Sequence, residues 1–175
     1  RNKLPDDDTS DPLYFSRYIG AAVAMVDYTE KFSGEKLHQN MPFFGLRMTG
    51  PGVLFDGPPL DVNLLIYPTP PKYLSAIGQG PAKGFLVLGD IVFLFPLKEF
   101  RDSLLYFGLG MMWTYSGYSV TVGGQEYDSK DLRLGIEISG GYAYKFTNYV
   151  FRADMKYFFE KSGYLAYLIS LQTGY

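Results

Sequence analysis

From Tyr14 onward, apolar residues recur at every second position, the spacing of strands with one greasy and one polar face. In Asp131–Lys145 the apolar series is Leu132, Leu134, Ile136, Ile138, Tyr142 and Tyr144, with Arg133, Glu137 and Ser139 between. Tyr149–Glu160 sets Tyr149, Phe151, Ala153, Met155, Tyr157 and Phe159 against Arg152, Asp154 and Lys156. Tyr164–Tyr175 continues the rhythm with Leu165, Tyr167, Ile169 and Leu171. Thr147-Asn148 and Ser162-Gly163 are tight turn signals, so these three segments form a meander. The same alternation marks Ser103–Ser119, Gly84–Pro96, Leu60–Tyr67, Phe43–Thr49 and Tyr14–Tyr28. The pattern predicts an all-β chain, an eight-stranded antiparallel up-and-down barrel over residues 13–175.

The two faces differ in kind. One carries Arg47, Asp61, Asp90, Arg133, Glu137, Arg152, Asp154 and Lys156, besides small residues such as Gly20, Ala22, Gly108 and Ala166. The other is nearly unbroken Leu, Ile, Phe and Tyr. An eight-stranded interior is just wide enough for ordinary side chains, so the bulky face would overfill it and is expected to point outward. Alternating strand direction from chain ends on one side then sorts the outward aromatics into two heights. Phe15, Phe93, Phe95, Tyr144, Tyr149 and Tyr175 fall at the end of the termini; Phe85, Trp113, Tyr115, Tyr157, Phe159 and Tyr167 fall at the far end. Two aromatic girdles around an aliphatic band suit a bilayer, where such rings bridge hydrocarbon and headgroups. The expectation is a transmembrane barrel with a polar, plugged interior.

Composition sharpens this picture. Aromatic residues make up 18% of the 175 residues, with 16 Tyr and 14 Phe against a single Trp, a bias toward strands and membrane interfaces. A net charge of −2 offers no basic field for nucleic acid. The absence of cysteine removes disulfides and thiolate chemistry. No apolar run reaches the ~20 residues of a spanning helix. The chain opens on Arg1, so it reads as mature, with a signal peptide removed and residues 1–12 (RNKLPDDDTSDP) as a flexible polar leader.

Gly89–Ser116 (GDIVFLFPLKEFRDSLLYFGLGMMWTYS) pairs an aromatic-Pro strand end, Phe95-Pro96, with a Tyr-x-Gly-x-Gly strand, Tyr106–Gly110. In this it resembles the small bacterial outer-membrane barrels, the OmpA, OmpX and OmpW-like families. The resemblance implies a Gram-negative outer-membrane location with both termini periplasmic. It also implies that the terminal aromatic, Tyr175, serves as the signal read by the barrel assembly machinery, and that membrane lipids are the surrounding partner.

Several groups could carry chemistry. The eight inward charges, four of each sign, are expected to pair, because unpaired charge in a narrow interior is costly. Arg47 is expected to meet Asp61 or Asp90, and Arg133, Glu137, Arg152 and Asp154 to pair among themselves. His38, the only histidine, falls in an expected external loop, Lys31–Met41, with Ser33, Ser75, Ser119, Glu35 and Glu126 as partners if it were a catalytic base. The second external loop, Pro68–Lys83, presents Tyr73, Leu74 and Ile77 as a contact patch for a ligand, a protein or a host molecule. Gly123-Gly124 reads as turn glycines and Asp6-Asp7-Asp8 as a solvated acidic run, so no metal or cofactor site is expected. Three roles stay open: a non-enzymatic barrel acting in envelope structure or through its external loops, an OmpW-like lateral conduit for small hydrophobic molecules, and a lipid A-modifying enzyme.

Overall fold

A computed structural model describes residues 17–32, 35–51, 57–77 and 82–175. Eight strands run up and down in chain order and close on themselves: β1 (Tyr18–Phe32), β2 (Glu35–Gly50), β3 (Leu60–Tyr67), β4 (Lys83–Glu99), β5 (Ser103–Val122), β6 (Gln125–Phe146), β7 (Tyr149–Phe159) and β8 (Gly163–Gly174). Each neighbouring pair is antiparallel, and β1 seals the ring on β8 through Tyr18 opposite Gly174 to Val26 opposite Ala166. The expected leader and Phe15 lie outside the described residues.

Closure gives each strand a partner on both sides, so along the paired stretches the backbone polar groups are satisfied without water. Alternation then decides which side chains face out. Leu134 and Leu132 are 66% and 62% exposed, whereas Arg47 and Glu137 are 0% exposed. The greasy face of every strand is outside.

The strands extend past the expected boundaries at the end away from the termini. β1 and β2 stay in register up to Phe32 opposite Glu35, through the segment expected as a loop, Lys31–Met41. Likewise β5 and β6 pair to Val122 opposite Gln125. The turn between them is built on Gly123 and Gly124, with φ of 60° and 81°, both in the left-handed region a two-residue hairpin requires. On the β5–β6 hairpin residues 121–130 are exposed on both faces, so the apolar period fades there although the backbone ladder continues. β7 ends earlier, its last pair being Phe159 opposite Gly163, and β6 finds β7 only from Ile136 downward. The β5–β6 hairpin therefore stands above the β7–β8 turn, with the edge of residues 125–135 unpaired by β7.

A second departure lies in the segment Pro68–Lys83, which contains a short helix, α1 (Lys72–Ile77). Pro70-Pro71 precede it, and proline is well placed before the first helical turn, where no amide partner is lost. The Lys72 amide donates to the Gln39 side chain at 2.7 Å and so ties the helix to the β2 rim.

Candidate functional site

The interior is layered. At mid-height lie the ionic side chains. Toward the far end from the termini, Val26, Tyr28, Met41, Phe43, Leu65, Leu86, Leu88, Met112, Phe158, Tyr164 and Leu168 form a buried apolar cluster. Toward the termini a smaller one gathers Tyr18, Val92, Leu94, Leu104, Tyr106, Ala143 and Val150. The main ionic layer thus lies between two apolar clusters, with further buried polar groups, Arg133 and Glu160 among them, nearer the far rim. In Phe85-Leu86-Val87-Leu88 both faces are apolar, so alternation cannot reveal that Leu86 and Leu88 turn inward.

Arg47 is the hub of the ionic layer. On β2, its guanidinium pairs with Asp61 of neighbouring β3 at 2.8 Å and reaches across the lumen to Asp154 of β7. The Tyr106 hydroxyl on β5 donates to Asp154 at 2.6 Å and lies 3.3 Å from Arg47 Nη2. Asp61 also accepts from Thr49 at 2.7 Å, and Thr49 accepts in turn from Gln172 of β8 at 3.1 Å. Space for the Tyr106–Asp154 contact comes from Gly141, where an added Cβ would collide with Asp154 Oδ1 and fall 2.5 Å from the Tyr106 ring.

Lys156 anchors a second group. Its ammonium lies 2.9 Å from Asp90 on β4 and 2.8 Å from Glu137 on β6. Asn63 bridges the two groups, donating to Asp90 at 2.7 Å and to Asp61 at 3.3 Å. Arg133 stands apart, nearer the rim away from the termini. It lies 3.4 Å from Asp131 and 3.4 Å from Glu160, and its guanidinium sits over the Tyr28 ring.

The ion pairs expected from the chain pattern therefore need correction at several positions. Arg47 meets Asp61, one of the two partners expected for it, and Asp90 goes to Lys156. Glu137 also goes to Lys156, and Asp154 to Arg47. Arg152 is buried and has no carboxylate at ion-pair distance among the described residues; its guanidinium lies over Tyr106, 5.5 Å from the ring centroid. Strand alternation puts Asn63 and Tyr106 on the inward faces of their strands but does not reveal their polar partners, and Glu160 adjoins a turn.

The outward aromatics make contacts within each expected height. At the end of the termini Phe95 stacks on Phe107 at 4.8 Å, and Tyr144 and Tyr149 each stack on Phe146. At the far end Phe85 meets Tyr115 at 5.9 Å and Tyr157 meets Phe159 at 4.6 Å. Phe93 is exposed, Trp113 covers Gly89, and Tyr167 lines a shallow apolar groove with Leu105, Tyr142, Met155 and Ile169. Tyr175 is exposed, and its amide donates to the Arg17 carbonyl at 3.2 Å, holding the two ends of the barrel wall together.

At the far rim Tyr73 and Leu74 are half-buried on α1, and the Ile77 side chain lies outside the described residues. Tyr67, against Phe43 at 5.6 Å, and Tyr118 pack onto the upper apolar cluster. His38 is exposed on the β1–β2 hairpin. Its Nδ1 lies 2.8 Å from Thr29 Oγ1 and 3.9 Å from Asp27. A catalytic base needs its nucleophile and its orienting carboxylate on different ring nitrogens, and here both contacts fall on one. Ser119 donates to Glu126 at 2.6 Å, far along the β5–β6 hairpin. Ser33 and the Glu35 side chain lie outside the described residues.

No protein-family model matches the chain, and no curated protein sequence does either. Solved structures do. Ail, the attachment invasion locus protein of Yersinia pestis, crystallised in complex with the heparin analogue sucrose octasulfate, superposes with a TM-score of 0.55 at 17% identity. The match covers 91% of this chain and 95% of that one. The N-terminal β-barrel domain of OprF from Pseudomonas aeruginosa gives a TM-score of 0.58 at 13% identity, over 93% of this chain and 98% of that one. With a closed ring of eight antiparallel strands and an apolar exterior, the chain has the fold of the small eight-stranded outer-membrane β-barrels.

Proposed function

We propose that this chain is a non-enzymatic outer-membrane barrel, closed along its axis, that serves the envelope structurally and through the hairpins on its external face. The observation that carries the reading is the transverse tie from Arg47 on β2 to Asp154 on β7, sandwiched between two apolar layers. An ion entering such a lumen would have to displace both a paired charge network and packed aromatic side chains.

The asymmetry of the two ends supports an orientation. The termini share an end with the short β4–β5 and β6–β7 turns, while the long β1–β2 and β5–β6 hairpins and α1 project from the other. Barrels of this class keep short turns on the periplasmic side and longer loops outside. Periplasmic termini would also place Tyr175 where the assembly machinery can read it. That Ail, which shares this fold, was crystallised with a heparin analogue supports a role in contacts with partners. The lateral-conduit reading is disfavoured by Tyr67 and Tyr118 packed on the upper apolar cluster, and the lipid A enzyme by the contacts of His38.

Planar-bilayer recording tests the proposal. Purified protein inserted in bilayers is expected to give no steady ionic current. Steady conductance with the unaltered chain would contradict a closed barrel.

A further inference from the structure

Above Ile136 no strand among the described residues pairs with the outer edge of β6. β7 ends at Phe159, opposite Ile136, and turns into β8 at Gly163. Arg133 still reaches Glu160 beside that turn, 3.4 Å away. From Gln125 to Leu132 the strand is laddered to β5 alone. Alternate residues of an antiparallel ladder direct their N–H and C=O groups to opposite sides, so this stretch presents a row of donors and acceptors to its open side.

The polarity of the hairpin reverses at the same height. Within the band the outward positions Trp113, Tyr115, Leu132 and Leu134 are apolar, and the inward positions Thr114, Ser116 and Arg133 are polar. Beyond it the outward face carries Ser119, Thr121, Glu126, Asp128 and Lys130. The inward face there holds Tyr118, Val120, Tyr127 and Val122 beside Ser129 and Gln125. Tyr118 packs on the upper apolar cluster, so this strip continues the lining of the lumen, yet Tyr127 is 57% and Val122 42% exposed. An open backbone edge and an uncovered apolar strip therefore coincide on one strand.

We propose that the edge of β6 from Gln125 to Leu132 takes up an extended strand of another protein outside the cell. The apolar side chains of that strand turn toward the barrel axis beside Tyr127, and its polar ones turn out beside Glu126, Asp128 and Lys130. This deepens the external-contact reading above and rests on it. Main-chain hydrogen bonds supply the affinity of such strand addition, and the alternation of side chains its specificity. A second copy of this chain does not fit. Strands of a closed barrel tilt about 35–45° from its axis, so two copies related by an axis along the membrane normal would cross their β6 edges at roughly 70–90°, too steep for a ladder.

The test follows amide hydrogen exchange along β6 in the full chain, held in phosphatidylcholine nanodiscs. The probe is a short synthetic peptide of alternating valine and threonine with a lysine at each end. Slowed exchange at alternate residues between Gln125 and Leu132 is expected, with no change from Ile136 to Ile138, where β7 is already paired. Two further peptides carry N-methyl groups on alternate residues, in opposite phase. One phase removes the amides that face β6 and is expected to abolish the protection; the other is expected to keep it. Tyr127→Ser is expected to weaken binding about two- to fivefold, the size of one cross-strand side-chain contact. Unchanged exchange with millimolar peptide, or the same result with both methylated phases, would overturn the strand site. Protection that appears without peptide and grows with the number of chains per disc would overturn it in favour of a second copy. All three outcomes leave the closed barrel intact, whereas steady conductance would overturn the closure and leave the edge as it is.

Discussion

Arg47 and Asp154 stand 107 positions apart in the chain and join opposite walls of the barrel through a bidentate ion pair. Both are buried, and both have further polar partners, Asp61 for the arginine and Tyr106 for the aspartate. A buried pair in this setting specifies an arrangement more than it adds net stability, because desolvation offsets much of the attraction. Breaking it is a different matter.

Arg47→Ala leaves Asp61 and Asp154 facing each other's field without their cation. Removing one partner of a buried pair typically costs roughly 3–5 kcal/mol. The expected outcome is an unfolding midpoint in urea lowered accordingly, read by tyrosine fluorescence or by the folded-to-unfolded shift in electrophoretic mobility. A variant as stable as the parent would show that the hub contributes little.

Tyr106→Phe keeps the ring against Arg152 and deletes the hydroxyl that donates to Asp154. A hydrogen bond to a charged group is worth about 1.5–3 kcal/mol, so a loss within that range is expected, smaller than for Arg47→Ala. Equilibrium unfolding of the two variants side by side checks the order.

A barrel closed as proposed keeps the ionic layer out of reach of mobile ions. Raising NaCl from about 0.1 to 1 M shortens the screening length from roughly 10 to 3 Å in water, yet buried pairs are little affected. Stability in bilayers is therefore expected to change little over that range. A steep fall with salt would mean that solvent reaches Arg47 and Lys156.

Charges on the outer wall should cost according to depth. Leu109→Arg places a cation in the middle of β5 on the lipid face and is expected to destabilise by about 2–4 kcal/mol, whereas Ser119→Arg, above the band, should cost about 0–1 kcal/mol. Similar costs at the two positions would contradict a bilayer around the barrel.

Much of this is legible in the sequence because a strand's period is two and a barrel reads it without interruption. Leu132 to Ile138 on one face and Arg133 and Glu137 on the other require no tertiary knowledge. What sequence cannot supply is the identity of partners across the lumen, since shear decides which height of β7 faces which height of β2. Asp154 reaching Arg47, and Asp90 reaching Lys156, follow from that stagger. The upper apolar cluster is hidden for a different reason. Leu86, Leu88 and Met112 sit where both faces of a strand are apolar, so no contrast marks the inward one. The upper part of the β1–β2 hairpin carries the polar pattern of a loop, although its backbone ladder runs on to Phe32 opposite Glu35.

The placement of the apolar face is tested most directly by site-directed spin labels on a chain that contains no native cysteine. Labels at Leu109, Leu134 and Ile169, in bilayers, should collide readily with dissolved oxygen and scarcely with a water-soluble nickel chelate. Free access of the chelate to these three sites, with oxygen excluded, would put the greasy wall in water and contradict the membrane barrel outright.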